Sequence, residues 1–210
     1  LIPQGVDGSR DAQGFIMNKA RNTSSLNLTA TAGFPISSSS VNISDTPELT
    51  FGTEAYTLEA WAKAGYIAQG TSPSSFNTII SVGTNVVAAG TTGLNYQGSV
   101  DKFKFHCGGD GNAKSILSNA VIRGNWCHVV AGRKADGVGF MYVDGVDQDN
   151  NHVDLDIDEV DLAPAAHTVG HDNSASGRFY TEPIDGIKIY NKALSATEVL
   201  RNYKATKGSH

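Results

Sequence analysis

Few residues in this chain are spaced for chemistry. A retaining glycosidase needs two carboxylates about 5 Å apart across a cleft, and the nearest approach to such a set is Glu159-Val-Asp161, followed by Pro164. No Gly-x-Ser-x-Gly turn and no His-Glu-x-x-His run occurs. The segment 144–161 holds eight of the 21 acids (Asp144, Asp147, Asp149, Asp154, Asp156, Asp158, Glu159 and Asp161), with no Lys or Arg among them. It opens like a calcium loop at Asp147-x-Asp149-x-Asn151, but His152 stands where an EF-hand needs Gly, and Asp158 where it needs Glu. A solvated strand face is the plainer expectation there. Asp185 differs: it shares strand parity with Ile187 and Ile189, so it is expected on the apolar side, where a carboxylate needs compensation. Arg178 or backbone amides are candidate donors to it.

Ring-binding chemistry is the other candidate. Sugars stack on exposed aromatics and present hydroxyls to Asp, Asn and Arg. The aromatics expected in loops are Tyr66, Phe76, Tyr96, Phe179 and Tyr180. His171-Asp172-Asn173, followed by Arg178-Phe179-Tyr180, gathers polar and aromatic groups in one place. The ligand-binding expectation therefore falls on Tyr66, Tyr96, His171, Asp172, Asn173, Arg178 and Tyr180.

The elements that must position these residues are strands. Gly, Ser, Thr and Asn make up about a third of the 210 residues, a composition of turns and strands rather than helices. In Tyr56–Lys63, Leu58, Ala60 and Ala62 alternate with Thr57, Glu59, Trp61 and Lys63, the period of a strand. Lys102–Cys107, Trp126–Gly132, Gly139–Val143 and Ile184–Tyr190 follow suit, with shorter strands expected at Ser25–Leu28, Val41–Ile43, Thr78–Val82, Ser115–Ile122 and His167–Gly170. Residues 64–77 read as a loop and 85–98 as a small, Gly-rich stretch. Asp136-Gly137 and Asp144-Gly145 are tight-turn signals. One helix is expected, opened by the capping box Ser195-Ala-Thr-Glu198, with Val199, Leu200 and Tyr203 as its apolar stripe. The fold class is all-β: a two-sheet antiparallel jelly-roll sandwich with one short C-terminal helix.

Composition limits partners. With 16 Lys+Arg against 21 Asp+Glu the net charge is −5, so nucleic acid is not an expected partner. No run of about 18 apolar residues is present, so membrane insertion is not expected. Cys107 and Cys127 read as two small buried hydrophobes, with a cross-strand disulfide as the alternative. Sequons at Asn22, Asn27 and Asn42 are no more than this composition yields by chance, and they assign no compartment.

Four blocks, in order, resemble a known family: Tyr56-Thr-Leu-Glu-Ala-Trp-Ala-Lys63, Asn125-Trp-Cys-His-Val-Val-Ala-Gly132, Phe140-Met-Tyr-Val-Asp-Gly-Val146 and Ile184–Val199. Together they look like the laminin-G-like domains of the concanavalin A-like lectin/glucanase superfamily. The resemblance covers roughly residues 45–203 of a single domain at 1–207, with N-terminal strands and loops over 1–45; residues 208–210 read as a tag remnant. It implies that the N-terminal strand pairs beside the C-terminal one, and that Trp61 and Trp126 belong to the core. It also implies a structural calcium at Asp185, completed by groups near Asp45 and Glu48. The superfamily's glucanases carry Glu-x-Asp-x-x-Glu, which fails here at Pro164, so the expected role is non-catalytic: recognition or attachment to glycans or cell-surface polysaccharide. Alternatives are a virion appendage or extracellular structural module that binds protein and, last, a glycoside hydrolase. The segment Leu200–Gly208 is similar to tails of such domains in structural proteins of marine tailed phages. The expected location is extracellular or at a virion surface.

Overall fold

A computed structural model describes residues 41–43, 51–65, 76–82, 91–107, 114–148, 167–171 and 178–210. The expected strand at Ser25–Leu28 and most of the acidic segment lie outside them. Eleven strands and one α-helix are described: β1 (Val41–Ile43), β2 (Tyr56–Lys63), β3 (Phe76–Val82), β4 (Thr92–Gln97), β5 (Lys102–Cys107), β6 (Lys114–Leu117), β7 (Trp126–Arg133), β8 (Gly139–Val143), β9 (Val146–Asp147), β10 (His167–Val169), β11 (Ile184–Tyr190) and α1 (Ala196–Thr206). They form two antiparallel sheets, ordered β1-β10-β3-β4-β5-β6 and β11-β2-β7-β8-β9, the sandwich expected from the alternation.

The core lies between the sheets. Leu58, Ala60 and Ala62 of β2 meet Leu94 and Tyr96 of β4, Phe103 and Phe105 of β5, and Val129 and Ala131 of β7. Cys107 and Cys127 are both buried and form no disulfide with each other, and Cys107 Sγ is in hydrogen-bond contact with the Tyr56 hydroxyl at 3.3 Å. Tyr56 sits inside with its hydroxyl donating to Thr92 Oγ1 at 2.7 Å.

Two expectations change. The stretch 85–98 contains a central strand, β4: Thr92, Leu94 and Tyr96 face the core while Gly93, Asn95 and Gln97 face outward. The glycine and the polar outward residues hide its alternation. β1 pairs with β10, and the residues before it, where the first strand is expected, lie outside the described ones. Second, Asp185 does not point to the apolar side. A bulge between Asp185 and Lys188 shifts the register, so Asp185 opposes Trp61 while Ile189 opposes Leu58. Gly186 permits the bulge by taking φ +57°, a conformation unfavourable to other residues. The Asp185 amide neighbour closes the turn: Gly186 N–H donates to Asp185 Oδ1 at 2.7 Å.

The helix starts where the capping box places it. Ser195 Oγ accepts from the Glu198 amide, and the Glu198 carboxylate accepts from the Ser195 amide at 2.9 Å. The helix lies on the outer face of the five-stranded sheet. Val199 packs with Val130, Phe140, Tyr190 and Leu194 in a second apolar cluster there.

Candidate functional site

Glu59 pins the helix to that face. Its carboxylate, 1% exposed, accepts from Lys188 Nζ at 2.6 Å, Tyr190 Oη at 3.0 Å and Asn202 Nδ2 at 2.9 Å, with His128 Nε2 at 3.2 Å. Burial alone would raise its pKa, but the His128 contact and the Lys188 charge outweigh it and hold Glu59 at about 2. Anchored in this way, the helix brings Tyr203 onto Trp61, with ring centroids 5.9 Å apart, and Trp61 Nε1 donates to Thr206 Oγ1 at 2.9 Å.

Beyond that contact the face opens into a cleft of about 390 Å³ lined by Trp61, Asn125, Trp126, Asp144, Tyr203 and Lys207 among others. Trp126 starts β7, diagonal to Trp61 across the β2–β7 pair. Asp144 is fixed by the turn that joins β8 to β9. Asp144 and Gly145 take φ +53° and +76°, the mirror-image geometry that matches strand twist. Asp144 Oδ1 then accepts the His128 amide at 2.8 Å. The absent side chain of Gly145 admits the helix: a Cβ there would lie 3.0 Å from Leu200 Cδ1 and 3.3 Å from Tyr203 Cδ1. Lys207 Nζ stands 5.7 Å over the Tyr203 ring.

A ring already sits in the cleft. The His210 imidazole stacks on Trp61 at 4.3 Å, lies 4.9 Å from Trp126, and directs Nε2 to 3.6 Å from Asp185 Oδ2. Burial lowers the His210 pKa, against the opposing pull of Asp185.

The sequence-expected ligand residues do not converge here. Tyr96 lies in β4, 1% exposed, and donates to Asp101 Oδ1 at 2.9 Å; Tyr180 is 2% exposed and donates to the Lys63 carbonyl at 2.7 Å. Both are core residues rather than loop aromatics, so neither ring offers a face to a sugar. His171 stacks on Phe179 at 4.1 Å, and Arg178 accepts the Thr78 amide at its carbonyl at 3.1 Å, placing both on the six-stranded sheet. Tyr66, Asp172 and Asn173 lie outside the described residues, as do Asp45 and Glu48.

The expected calcium set is likewise incomplete among the described residues. Asp185 meets no Lys or Arg there, and it supplies one carboxylate where calcium takes six to eight oxygens. No group of three His, Cys, Asp or Glu converges among the described residues.

The outer face of the six-stranded sheet is polar and buried. Thr78 Oγ1 donates to Asn95 Oδ1 at 2.9 Å, and Asn95 Nδ2 lies 2.7 Å from His106 Nδ1. The His106 ring lies across Gly93, where a Cβ would come within 2.6 Å of Cε1. Among the described residues, His106 Nε2 and Ser81 Oγ are buried without a hydrogen-bond partner. Burial first, then the charges of Lys104 and Arg178, lower the His106 pKa to about 3. A serine and a histidine share this face, but Ser81 makes no hydrogen bond to the imidazole, and so weak a base is a poor activator.

Trp61, 4% exposed, is buried as expected of a structural residue, but on the outer face, under Tyr203 and His210, rather than between the sheets; Trp126 is half-buried beside it. The parity of Trp61 with Glu59 and Lys63 already put it on that outer face.

The Laminin_G_3 family model, described as the concanavalin A-like lectin/glucanases superfamily, matches residues 36–200. The chain belongs to this superfamily. No curated protein matches it in sequence. Among solved structures it is similar to the botulinum neurotoxin serotype D binding domain, with TM-score 0.59, 16% identity, and coverage of 79% of this chain and 40% of that one. It is also similar to domain 4 of AbnA, a GH43 extracellular arabinanase from Geobacillus stearothermophilus, in complex with arabinotriose: TM-score 0.53, 17% identity, 76% and 67% coverage. A third is Trypanosoma rangeli sialidase: TM-score 0.56, 16% identity, 75% and 24% coverage. The chain thus spans less than half of the neurotoxin and sialidase structures. Identities this low establish a shared fold alone.

Proposed function

We propose that this chain is a non-catalytic recognition module that binds a glycan ring in the Trp61–Trp126 cleft. The observation that carries this is the cleft itself: indole and phenol walls flanked by Asn125, Asp144 and Lys207. Aromatic walls bind the apolar face of a sugar, while the amide and charged groups take its hydroxyls. The arabinotriose complex of an AbnA domain of the same fold supports a sugar as the ligand class. An extracellular or virion-surface setting, with glycans or cell-surface polysaccharide as partners, goes with this function.

A glycan array tests it. The chain is used as His210→Ala, so that the imidazole does not compete. Binding to at least one glycan, reduced about tenfold or more by Trp126→Ala, is the expected result. No binding to any glycan would favour the virion or extracellular module that binds protein. Hydrolysis of laminarin or a related glucan would replace both with an enzyme.

A structural calcium at Asp185, completed by the Asp45 and Glu48 region, is a separate part of the proposal. Support comes from a part-exposed carboxylate that no Lys or Arg neutralises among the described residues. Millimolar calcium then raises the melting temperature, and a melt unchanged by excess chelator removes this part.

A further inference from the structure

Trp126 lines two cavities. Asn125, Trp126 and Asp144 line the ring cleft and also a neighbouring cavity of about 330 Å³. The second cavity differs in chemistry. Its other walls are mostly apolar, Ala120, Val121, Ile122, Cys127, Val143 and Val146, joined by Asn119 and Gln148, and Asp144 is its one charged residue among the described residues. That carboxylate is already engaged by the His128 amide.

The cavity is preformed. The segment between β6 and β7 is tied down by Ser118 N–H to the Phe103 carbonyl at 2.9 Å, Asn119 N–H to Gln148 Oε1 at 2.8 Å, and Val121 N–H to the Asp101 carbonyl at 2.8 Å. At its mouth stand Ile122, 73% exposed, and Val146, 63% exposed, the most exposed large hydrophobics among the described residues. Single exposed apolar side chains are ordinary. Two of them flanking one fixed apolar cavity, which shares a tryptophan wall with a polar ring cleft, form a continuous amphiphilic surface.

We infer that the ligand is a glycoside with an apolar aglycone: the sugar ring stacks in the cleft, and the aglycone crosses Trp126 into the second cavity. This rests on the glycan reading of the cleft. Ile122 and Val146 cover the aglycone and lose their water only when it is bound. Specificity thus comes from two adjacent compartments of opposite polarity.

The test uses the His210→Ala chain and tryptophan fluorescence. Methyl and n-octyl glycosides of glucose, galactose, mannose and N-acetylglucosamine are titrated, the octyl compounds below their micelle concentrations. For the sugar that binds, the octyl form is expected to be about tenfold tighter or more, given the apolar area it buries. Ile122→Asp or Val146→Asp, both at exposed positions, should abolish that gain and leave the methyl affinity unchanged; circular dichroism checks the fold. Equal methyl and octyl affinities overturn the inference while leaving the ring cleft standing. An octyl gain that survives both Asp variants also overturns it. An octyl gain abolished by Ile122→Asp, with no methyl glycoside bound, supports the apolar compartment and overturns the sugar cleft. Binding of neither form overturns both.

Discussion

The two outward faces of the sandwich bury polar groups in opposite ways. On the five-stranded sheet, Glu59 is charged and enclosed by groups from three elements: Lys188 and Tyr190 of β11, His128 of β7 and Asn202 of α1. On the six-stranded sheet, the chain Thr78, Asn95, His106 ends on an imidazole nitrogen with no hydrogen-bond partner among the described residues. The difference follows from what each group can do when buried. The carboxylate is held ionised by its cationic and hydrogen-bonding neighbours, and losing them would strand a charge. A histidine escapes that penalty by giving up its proton, and the nearby charges of Lys104 and Arg178 favour the neutral form. One face is therefore closed around a charge and fastens the helix that shapes the ring cleft. The other tolerates an open-ended polar chain because it is neutral.

The most direct way to break this comparison is to remove the closed charge. Glu59→Ala leaves Lys188 and Asn202 without their buried acceptor and frees the helix that carries Tyr203. Removing one partner of a buried pair costs about 3–5 kcal/mol. His106→Gln deletes the end of a neutral chain and should cost about 1 kcal/mol, the scale of one hydrogen bond. Urea unfolding of the two variants measures both. Equal losses would mean that the faces do not differ in kind. A Glu59→Ala protein that folds but loses ring binding would locate the helix as part of the cleft.

The strand pattern was legible in the sequence wherever one face is apolar. Tyr56–Lys63, Lys102–Cys107, Gly139–Val143 and Ile184–Tyr190 have the boundaries that alternation implies. The capping box found the helix because Ser195 and Glu198 act locally. Legibility failed where tertiary context decides. β4 was hidden because Gly93 is glycine to make room for the His106 ring from the next strand, a contact no local pattern records. Asp185 was assigned to the wrong face because a bulge at Gly186 breaks period two. Tyr96 and Tyr180 looked like loop aromatics, yet each ring is buried and its hydroxyl finds an acceptor, Asp101 or the Lys63 carbonyl, that the alternation does not reveal. The cleft was missed for a related reason. It forms only when a helix 60 residues or more downstream of β7 returns to cover Trp61, so its walls are joined by packing rather than by spacing.

A finer probe of the two faces is acid, because they titrate in different windows. His106 stays neutral in the fold, with its pKa lowered to about 3, while the unfolded chain takes up a proton below about pH 6.5. The unfolded state then binds more protons, so this group's contribution is complete above pH 6.5 and is lost as pH falls towards 3. Each pH unit inside the window is worth at most about 1.4 kcal/mol. Glu59, held at about 2, contributes stability that is complete above pH 4.5 and is lost as pH falls towards 2. His210, whose pKa burial also lowers, contributes a decline in the same direction, so the comparison is made in the His210→Ala chain, where His106→Gln should flatten the decline between pH 6.5 and 5.5 by about 1 kcal/mol. Glu59→Gln should leave that interval unchanged and alter the curve only below pH 4.5. Unfolding free energies measured along the pH axis separate the two. A His106→Gln protein with the slope of its His210→Ala parent between pH 6.5 and 5.5 would mean that the imidazole is solvated in the folded state, and the six-stranded face would then be open to water rather than closed over a neutral chain.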